Sequence, residues 1–286
     1  MATVKNEEEA ASSLLDFPRT DMKVGIIGGT GVYESSWLIT AEELHVQTPF
    51  GSVTMTRGRT AGGQDDVYFV NRHGPGHHVP PHMVNYRANI WGLHHVGVER
   101  ILATAAVGSL SSTLPPGVSV LCDQFLDFTK SRPLTFFEGG QKGVVHTDMT
   151  DPYCPHLRSI LFQNAATAGL VAVNGGCYVT TEGPRFETPA EIKAFRMLGG
   201  DVVGMTSVPE VVLARELGLC YATVALVTNY AAGITSQYLT HQEVLDLMDQ
   251  YKTSLNQLIR LSLPVILDHR DCHCHHDPNG LSSNNM

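Results

Sequence analysis

Four apolar stretches of the sequence, each with the character of a buried strand, end in residues that can bind an anion. The segment GGTG at residues 28–31 joins glycines, which allow close backbone approach, to the hydroxyl of Thr30. Arg72 and His73 end the second stretch, and a guanidinium can make paired hydrogen bonds to phosphate oxygens. Small residues fill 104–109, and the Thr206 hydroxyl precedes a helix start. The agreement of these strand ends predicts a phosphate-binding site.

Each of these segments also has a simpler interpretation. GGTG matches neither a Walker loop nor the GxGxxG pattern, so by itself it equally fits a tight turn between a strand and a helix. The segment 74–82 is rich in proline and histidine, and its composition favours a stiff surface loop for His77, His78 and His82. Close packing alone would explain the small residues at 104–109.

The elements that would position these residues alternate between apolar stretches and helical patterns. The apolar stretches show little period-two alternation, which is typical of strands covered on both faces. Capping-box patterns, with Ser or Thr followed three residues later by Glu, begin at Thr188, Ser207 and Thr240. We predict helices near 189–199, 208–217 and 241–262, and strands at 24–29, 67–71, 101–107, 118–125, 202–205 and 221–228.

This alternation predicts one α/β domain of three layers at residues 22–267. No linker divides the middle of the chain. The flanking segments 1–21 and 268–286 lack periodicity and are polar, so we predict a flexible tail at each end.

Composition excludes several classes of function. The 286-residue chain carries a formal net charge of −9, which disfavours nucleic-acid binding because such binding depends on clustered Lys and Arg. No apolar run approaches the roughly 20 residues that span a bilayer, and the acidic start is unlike a signal peptide. We therefore expect a cytoplasmic protein that binds no membrane and whose six cysteines are mostly free thiols.

The C-terminal segment offers a rival interpretation, namely a metal-binding or regulatory protein. Cys272, His273, Cys274, His275 and His276 are all suitable zinc ligands. They are crowded into one short segment, and no second ligand pair follows at zinc-finger spacing. We therefore predict no metal site.

Seven motifs, in order along the chain, resemble the nucleoside phosphorylase superfamily, and more closely its trimeric branch of methylthioadenosine and purine nucleoside phosphorylases. The resemblance runs from about residue 24 to about residue 267. It implies an αβα sandwich around a mixed sheet, a homotrimer with sites near subunit interfaces, and a purine nucleoside and inorganic phosphate as substrates. It implies no metal and no organic cofactor. The motifs are IIGGTG, RHG, VNYRANIW, AVGSL, TEGPRFET, MTSVPEVVLARE and VTNYAAG.

The resemblance also assigns phosphate and ribose roles by position. Met205 would bond the ribose hydroxyls through its backbone, and His241 aligns with a histidine that bonds the 5′-hydroxyl. His146 resembles a residue lent across the subunit interface to the 5′ end. Ala105 departs from the family, which often has Thr or Asn there. The phosphate-binding positions are Thr30, Arg72, His73, Ala106 and Thr206.

Base recognition is assigned by the segments around Phe186 and Asn229. Adenine-specific relatives carry two aspartates in a pattern like TDYD, whereas this chain has Asn229 and Ala231. An amide can donate to a 6-oxo group and accept from N7–H. Glu187 could accept from N1–H, which adenine lacks, although it could instead only favour the adjoining helix start.

The sequence therefore predicts phosphorolysis of 6-oxopurine nucleosides, such as inosine and guanosine, to the free purine and ribose 1-phosphate in purine salvage. Asn229, Glu187 and His73 are the predicted catalytic residues. The alternatives on the same scaffold are S-methyl-5′-thioinosine and S-methyl-5′-thioadenosine phosphorylases.

Overall fold

A computed structural model describes residues 22–29, 38–60, 66–140, 143–268 and 271–274. Within these residues the chain forms an 11-stranded mixed sheet. The strands are β1 Lys23–Gly28, β2 Ile39–Thr48, β3 Gly51–Arg59, β4 Asp66–Asn71, β5 Val98–Ser109, β6 Val118–Leu121, β7 Gln124–Phe128, β8 Val171–Asn174, β9 Cys177–Thr181, β10 Val202–Gly204 and β11 Cys220–Tyr230.

The 12-residue strand β5 is the branch point of the sheet. One path runs β2-β3-β4-β1-β5-β10-β9-β7, and a second leaves β5 through β11, β6 and β8. β1 and β11 run parallel to β5, whereas β10 pairs antiparallel with the last two residues of β5. The carboxyl ends of β4, β5 and β11 therefore meet at one edge, where open α/β sheets bind ligands.

Helices cover both faces of the sheet and create two large apolar cores. Successive residues of β1 alternate between them, since Ile27 packs into one core and Ile26 into the other. The first core includes residues of α1 and α4, and the second includes residues of α2 and α5. The helices are α1 Tyr86–His95, α2 Pro155–Ala165, α3 Pro189–Met197, α4 Ser207–Glu216 and α5 His241–Asp268.

The predicted α/β fold with a mixed sheet is confirmed, as are the helices near 189, 208 and 241. The predicted strand 118–125 is instead two strands, β6 and β7, which lie in different branches of the sheet. The hairpin of β2 and β3 was not predicted because most of its side chains are exposed, so it lacks a continuous apolar run.

Two of the predicted helix caps have different outcomes. At α3 the capping box is present, because the Thr188 side chain accepts from the Glu191 backbone and Glu191 accepts from the Thr188 backbone. At α4 the predicted box is wrong. Thr206 is the N-cap residue, Val208 has non-helical dihedral angles, and the Glu210 carboxylate points away to bind Arg72.

No helix among the described residues is long and apolar enough to cross a membrane. Residues 1–21, 269–270 and 275–286 of the predicted tails lie outside the described residues. Residues 271–274 are described, and Cys274 among them is buried.

Candidate active site

A cavity of about 360 Å³ lies at the edge where β4, β5 and β11 end. It draws together side chains from strand ends, from the turn after β4 and from the first turn of α5. Most of the predicted site residues line it, namely Arg72, His73, Ala106, Phe186, Glu187, Met205, Thr206, Asn229, Ala231 and His241.

The remaining two predicted site residues are Thr30 and His146. Thr30 lies outside the described residues. His146 is exposed and does not line the cavity of its own chain. Its predicted role across a subunit interface stays a prediction.

Arg72 is held by a buried ion pair with Glu210. Its Nε and Nη2 donate to the two carboxylate oxygens at 2.5 and 2.7 Å, and its Nη1 donates to the Thr104 carbonyl at 2.8 Å. The Tyr221 hydroxyl donates to the same carboxylate. The paired hydrogen bonds predicted for phosphate are thus made to Glu210, and one N–H on each of Nη1 and Nη2 remains for a ligand.

Gly29 lets the first strand approach this arginine. A Cβ at Gly29 would lie 2.5 Å from the Thr104 carbonyl oxygen and 2.8 Å from Arg72 Nη1. The Gly29 N–H donates to the Thr104 hydroxyl at 3.0 Å. The glycine predicted for close backbone approach is therefore required by the packing around Arg72.

His73 is a neutral hydrogen-bonding group. Its ring is buried, and Nδ1 lies 2.8 Å from the Val79 carbonyl, so Nδ1 carries the proton. Burial, followed by the charge of Arg72, lowers the pKa of His73 to about 3. The ring can therefore offer a lone pair at Nε2 but brings no positive charge at neutral pH.

The histidine-rich turn after β4 reaches the cavity. The His77 ring lies 4.2 Å from the His73 ring and 6.1 Å from the His241 ring, measured between centroids. His77 and His78 line the cavity, whereas His82 is exposed and does not. The surface-loop interpretation therefore holds for His82 and for exposed His78, which also lines the cavity, and it fails for half-buried His77.

Glu187 places a carboxylate in the cavity. It is 9% exposed, and the Thr181 hydroxyl donates to its Oε1 at 2.6 Å. Burial is the largest influence and raises the pKa of Glu187 above its ordinary value, against the opposing hydrogen bond from Thr181. The Thr181 contact fixes the carboxylate and leaves further lone pairs for an N–H donor.

The Asn229 amide has a fixed orientation. Its Nδ2 donates to the Tyr230 carbonyl at 2.9 Å, and its Oδ1 lies 2.9 Å from the Thr228 hydroxyl. A flipped amide would turn its oxygen toward the Tyr230 carbonyl oxygen, so this assignment follows from the network. One N–H and one lone pair remain unused beside buried Ala231, a donor and an acceptor on one group.

Two functional residues were missed by sequence reasoning, and both act on the cavity wall. Arg132, with its side chain 1% exposed, donates to the carbonyls of Met205 and Val208 and to those of Thr181 and Glu182. It thereby ties the end of β9 to the segment before α4. Glu210 was interpreted as part of a helix cap. Glu210 lies within the motif MTSVPEVVLARE, whereas Arg132 lies in none of the seven motifs.

The sequence of this chain matches the family model for the phosphorylase superfamily over residues 23–264. The chain belongs to the phosphorylase superfamily.

Curated relatives and solved structures agree with this assignment. The phosphorylase is 55% identical over 253 residues to a probable 6-oxopurine nucleoside phosphorylase of Moorella thermoacetica, covering 88% of this chain and 96% of the relative. It is 51% identical to the 6-oxopurine nucleoside phosphorylase of Pyrococcus furiosus, with the same coverage. A methylthioadenosine phosphorylase of Schistosoma mansoni, in complex with adenine, superposes with a TM-score of 0.80 at 34% identity, covering 87% of this chain and 93% of that one.

The family resemblance inferred from the seven motifs is confirmed. Five of the motifs contribute residues to one cavity, namely RHG, AVGSL, TEGPRFET, MTSVPEVVLARE and VTNYAAG.

Proposed function

We propose that this chain cleaves 6-oxopurine nucleosides with inorganic phosphate, releasing the purine base and ribose 1-phosphate. The observation that carries the proposal is the presence of Glu187 and Asn229 in one cavity, each held by a hydrogen bond that leaves its recognition atoms unused.

The donors and acceptors of a 6-oxopurine match those that Glu187 and Asn229 offer. A 6-oxopurine presents N1–H to Glu187 and its oxo group to the Asn229 N–H. As the bond to the sugar breaks, N7 of the departing purine would take up a proton from water, and the Asn229 oxygen would accept from that N7–H. Adenine has no N1–H and would leave the buried Glu187 carboxylate with only its Thr181 donor, at a cost of about 1–3 kcal/mol. Ala231, in place of a second aspartate, offers no acceptor to an adenine amino group.

The chemistry needs no protein nucleophile, because phosphate attacks the anomeric carbon while the bond to the purine breaks. Arg72, His73, Ala106 and Thr206 line the same cavity and would hold phosphate beneath the sugar. Since Arg72 is paired with Glu210 and His73 is neutral, phosphate would be held more by the remaining N–H groups of Arg72 and the Thr206 hydroxyl than by net positive charge. His73, with a lone pair at Nε2, would accept from a protonated phosphate oxygen. Asn229 would stabilise the departing purine, and Phe186 would contact its ring.

The proposed assembly is a homotrimer that acts in the cytoplasm, with His146 of one subunit reaching the 5′ end of a nucleoside bound in another. The ribose would contact Met205, whose carbonyl is fixed by Arg132 at 2.6 Å. The reaction would use inorganic phosphate as its co-substrate and would need no cofactor.

The test is a phosphate-dependent assay of purified protein with inosine, guanosine, adenosine and the two methylthio nucleosides. We expect inosine and guanosine to be cleaved with the highest kcat/KM, and only when phosphate or arsenate is present. Substituting Asn229→Asp together with Ala231→Asp should raise the adenosine-to-inosine ratio about tenfold or more. Asn174→Asp, on an exposed strand, is the matched control. Preferential cleavage of methylthioadenosine by the unaltered chain would refute the base assignment.

A second candidate, S-methyl-5′-thioinosine phosphorylase, is favoured by the apolar side chains of Leu239 and Val244, which line the cavity with His241. A relative named as a probable enzyme of that type, from Methanopyrus kandleri, is 50% identical. His241→Met should shift the preference from inosine toward methylthioinosine if His241 reads the 5′-hydroxyl. An unchanged ratio would contradict this role.

A further inference from the structure

Four cysteines from three separate parts of the chain converge on one point, away from the cavity described above. Cys154 is the N-cap residue of α2, Cys220 begins β11, and Cys272 and Cys274 follow the end of α5. Their four Sγ atoms all lie within 4.8 Å of one another. Cys220 Sγ and Cys272 Sγ are 3.3 Å apart, and all four are free thiols.

This geometry fits a tetrahedral thiolate site. A zinc ion with Zn–S bonds of about 2.3 Å spaces its four sulfurs at about 3.8 Å, a value within the range that the cluster spans. Three of the cysteines are buried, and Cys272 is half-buried. Four sulfur ligands closed off from solvent are the pattern of structural zinc sites, which keep no open position.

The surroundings compensate the charge that such a site would carry. One Zn²⁺ with four thiolates has a formal charge of −2, which is costly to bury without nearby cations. Arg215 Nη1 donates to the Cys274 carbonyl at 3.0 Å, and its buried Nε has no hydrogen-bond partner among the described residues. Arg100 pairs with Cys220 across the β5–β11 ladder, and its guanidinium donates to the Ile266 carbonyl near the end of α5.

We propose that Cys154, Cys220, Cys272 and Cys274 bind one structural zinc ion, which anchors residues 271–274 against α2 and β11. This departs from the sequence-based expectation of no metal. That expectation rested on the missing second ligand pair, which Cys154 and Cys220 supply from positions 118 and 52 residues before Cys272. The one-residue spacing of Cys272 and Cys274 is shorter than in zinc fingers, and the other two ligands come from rigid elements.

The experiment uses the full chain, purified in a thiol reductant without chelator and supplied with one equivalent of zinc chloride. After dialysis we expect about one zinc per chain by elemental mass spectrometry. Replacing zinc with cobalt should give the visible absorption bands of a tetrahedral tetrathiolate. Stripping the metal with a strong chelator should lower the Tm by about 5 °C or more.

Variants separate the cluster from the other cysteines. Cys272→Ser with Cys274→Ser should reduce bound zinc from about one per chain to none, because two thiolates cannot close the site. Cys177→Ser removes a half-buried cysteine outside the cluster and should retain the metal. Alkylation of the unaltered chain, mapped by peptide mass, gives a readout that is independent of how the variants fold. The four cluster thiols should resist alkylation until chelator is added, whereas Cys177 should not respond to chelator.

Three outcomes would overturn the proposal. The first is a zinc-free chain with four alkylatable cluster thiols, and the second is a zinc-free chain in which they are joined as disulfides. The third is iron in place of zinc as the bound metal.

Discussion

At the scale of single residues, the proposed specificity depends on the protonation of Glu187. Burial raises the pKa of this carboxyl, so Glu187 takes up a proton at a higher pH than an exposed glutamate does. The ionised form accepts more strongly from N1–H than the protonated form, which keeps one acceptor oxygen and gains an O–H donor. On acidification, kcat/KM for inosine should therefore begin to fall at a pH above the ordinary glutamate pKa of 4.5.

The variant Glu187→Gln tests this dependence. It should lower kcat/KM for inosine about tenfold to a hundredfold and should remove the Glu187 contribution to the acid limb of the pH profile. Ionisation of phosphate affects every variant alike, so the comparison isolates Glu187. Glu243→Gln, an exposed change in the first turn of α5, should keep both the rate and the acid limb. An identical acid limb in both variants would contradict the assignment.

At the scale of elements, Arg132 joins the end of β9 to the segment that precedes α4. Arg132→Met would leave the carbonyls of Thr181, Glu182, Met205 and Val208 without this donor. Unpaired buried carbonyls cost about 1–3 kcal/mol each, and partial relaxation offsets part of the sum. We expect the free energy of unfolding to fall by about 3–5 kcal/mol and the Tm by roughly 10 °C.

The same variant should raise KM for the nucleoside, because Met205 loses the contact that fixes its backbone. Arg185→Met is the matched control, since Arg185 forms an exposed ion pair with Glu191. Such pairs contribute about 1 kcal/mol at most, so the control should change the Tm by only a few degrees. Equal losses in the two variants, measured by thermal unfolding, would show that Arg132 has no special role.

The sequence predicted most elements around the site but not the long-range pairings within it. Strand ends were predictable because buried apolar runs stop at recognisable small or charged residues, as at Arg72. The partner of Arg72, Glu210, lies 138 residues away, and its local pattern matches a helix cap. Capping boxes and buried ion pairs use the same residue types, and only tertiary packing decides between them.

At the scale of the whole molecule, the proposed trimer makes a prediction about shared sites. If His146 serves a neighbouring subunit, His146→Ala should raise KM for inosine while Arg72→Ala abolishes turnover. Trimers assembled from both variants should contain some sites with an intact Arg72 and an intact neighbouring His146, and these should regain the low KM. The shared site would be contradicted if the activity of the mixture equalled the sum of the two variants' activities and light scattering showed monomers.

The two ends of a bound nucleoside would meet very different parts of this fold. The base would meet Asn229 and Ala231 at the end of an 11-residue strand packed on both faces, whereas the 5′ group would meet His241 on the exposed first turn of a 28-residue helix. A single surface substitution at this position could therefore change which 5′ substituent the enzyme prefers, without altering the interior of the protein. Changing the nucleobase would require two coordinated replacements in the interior, so preference for the sugar should drift far more readily among descendants than preference for the base.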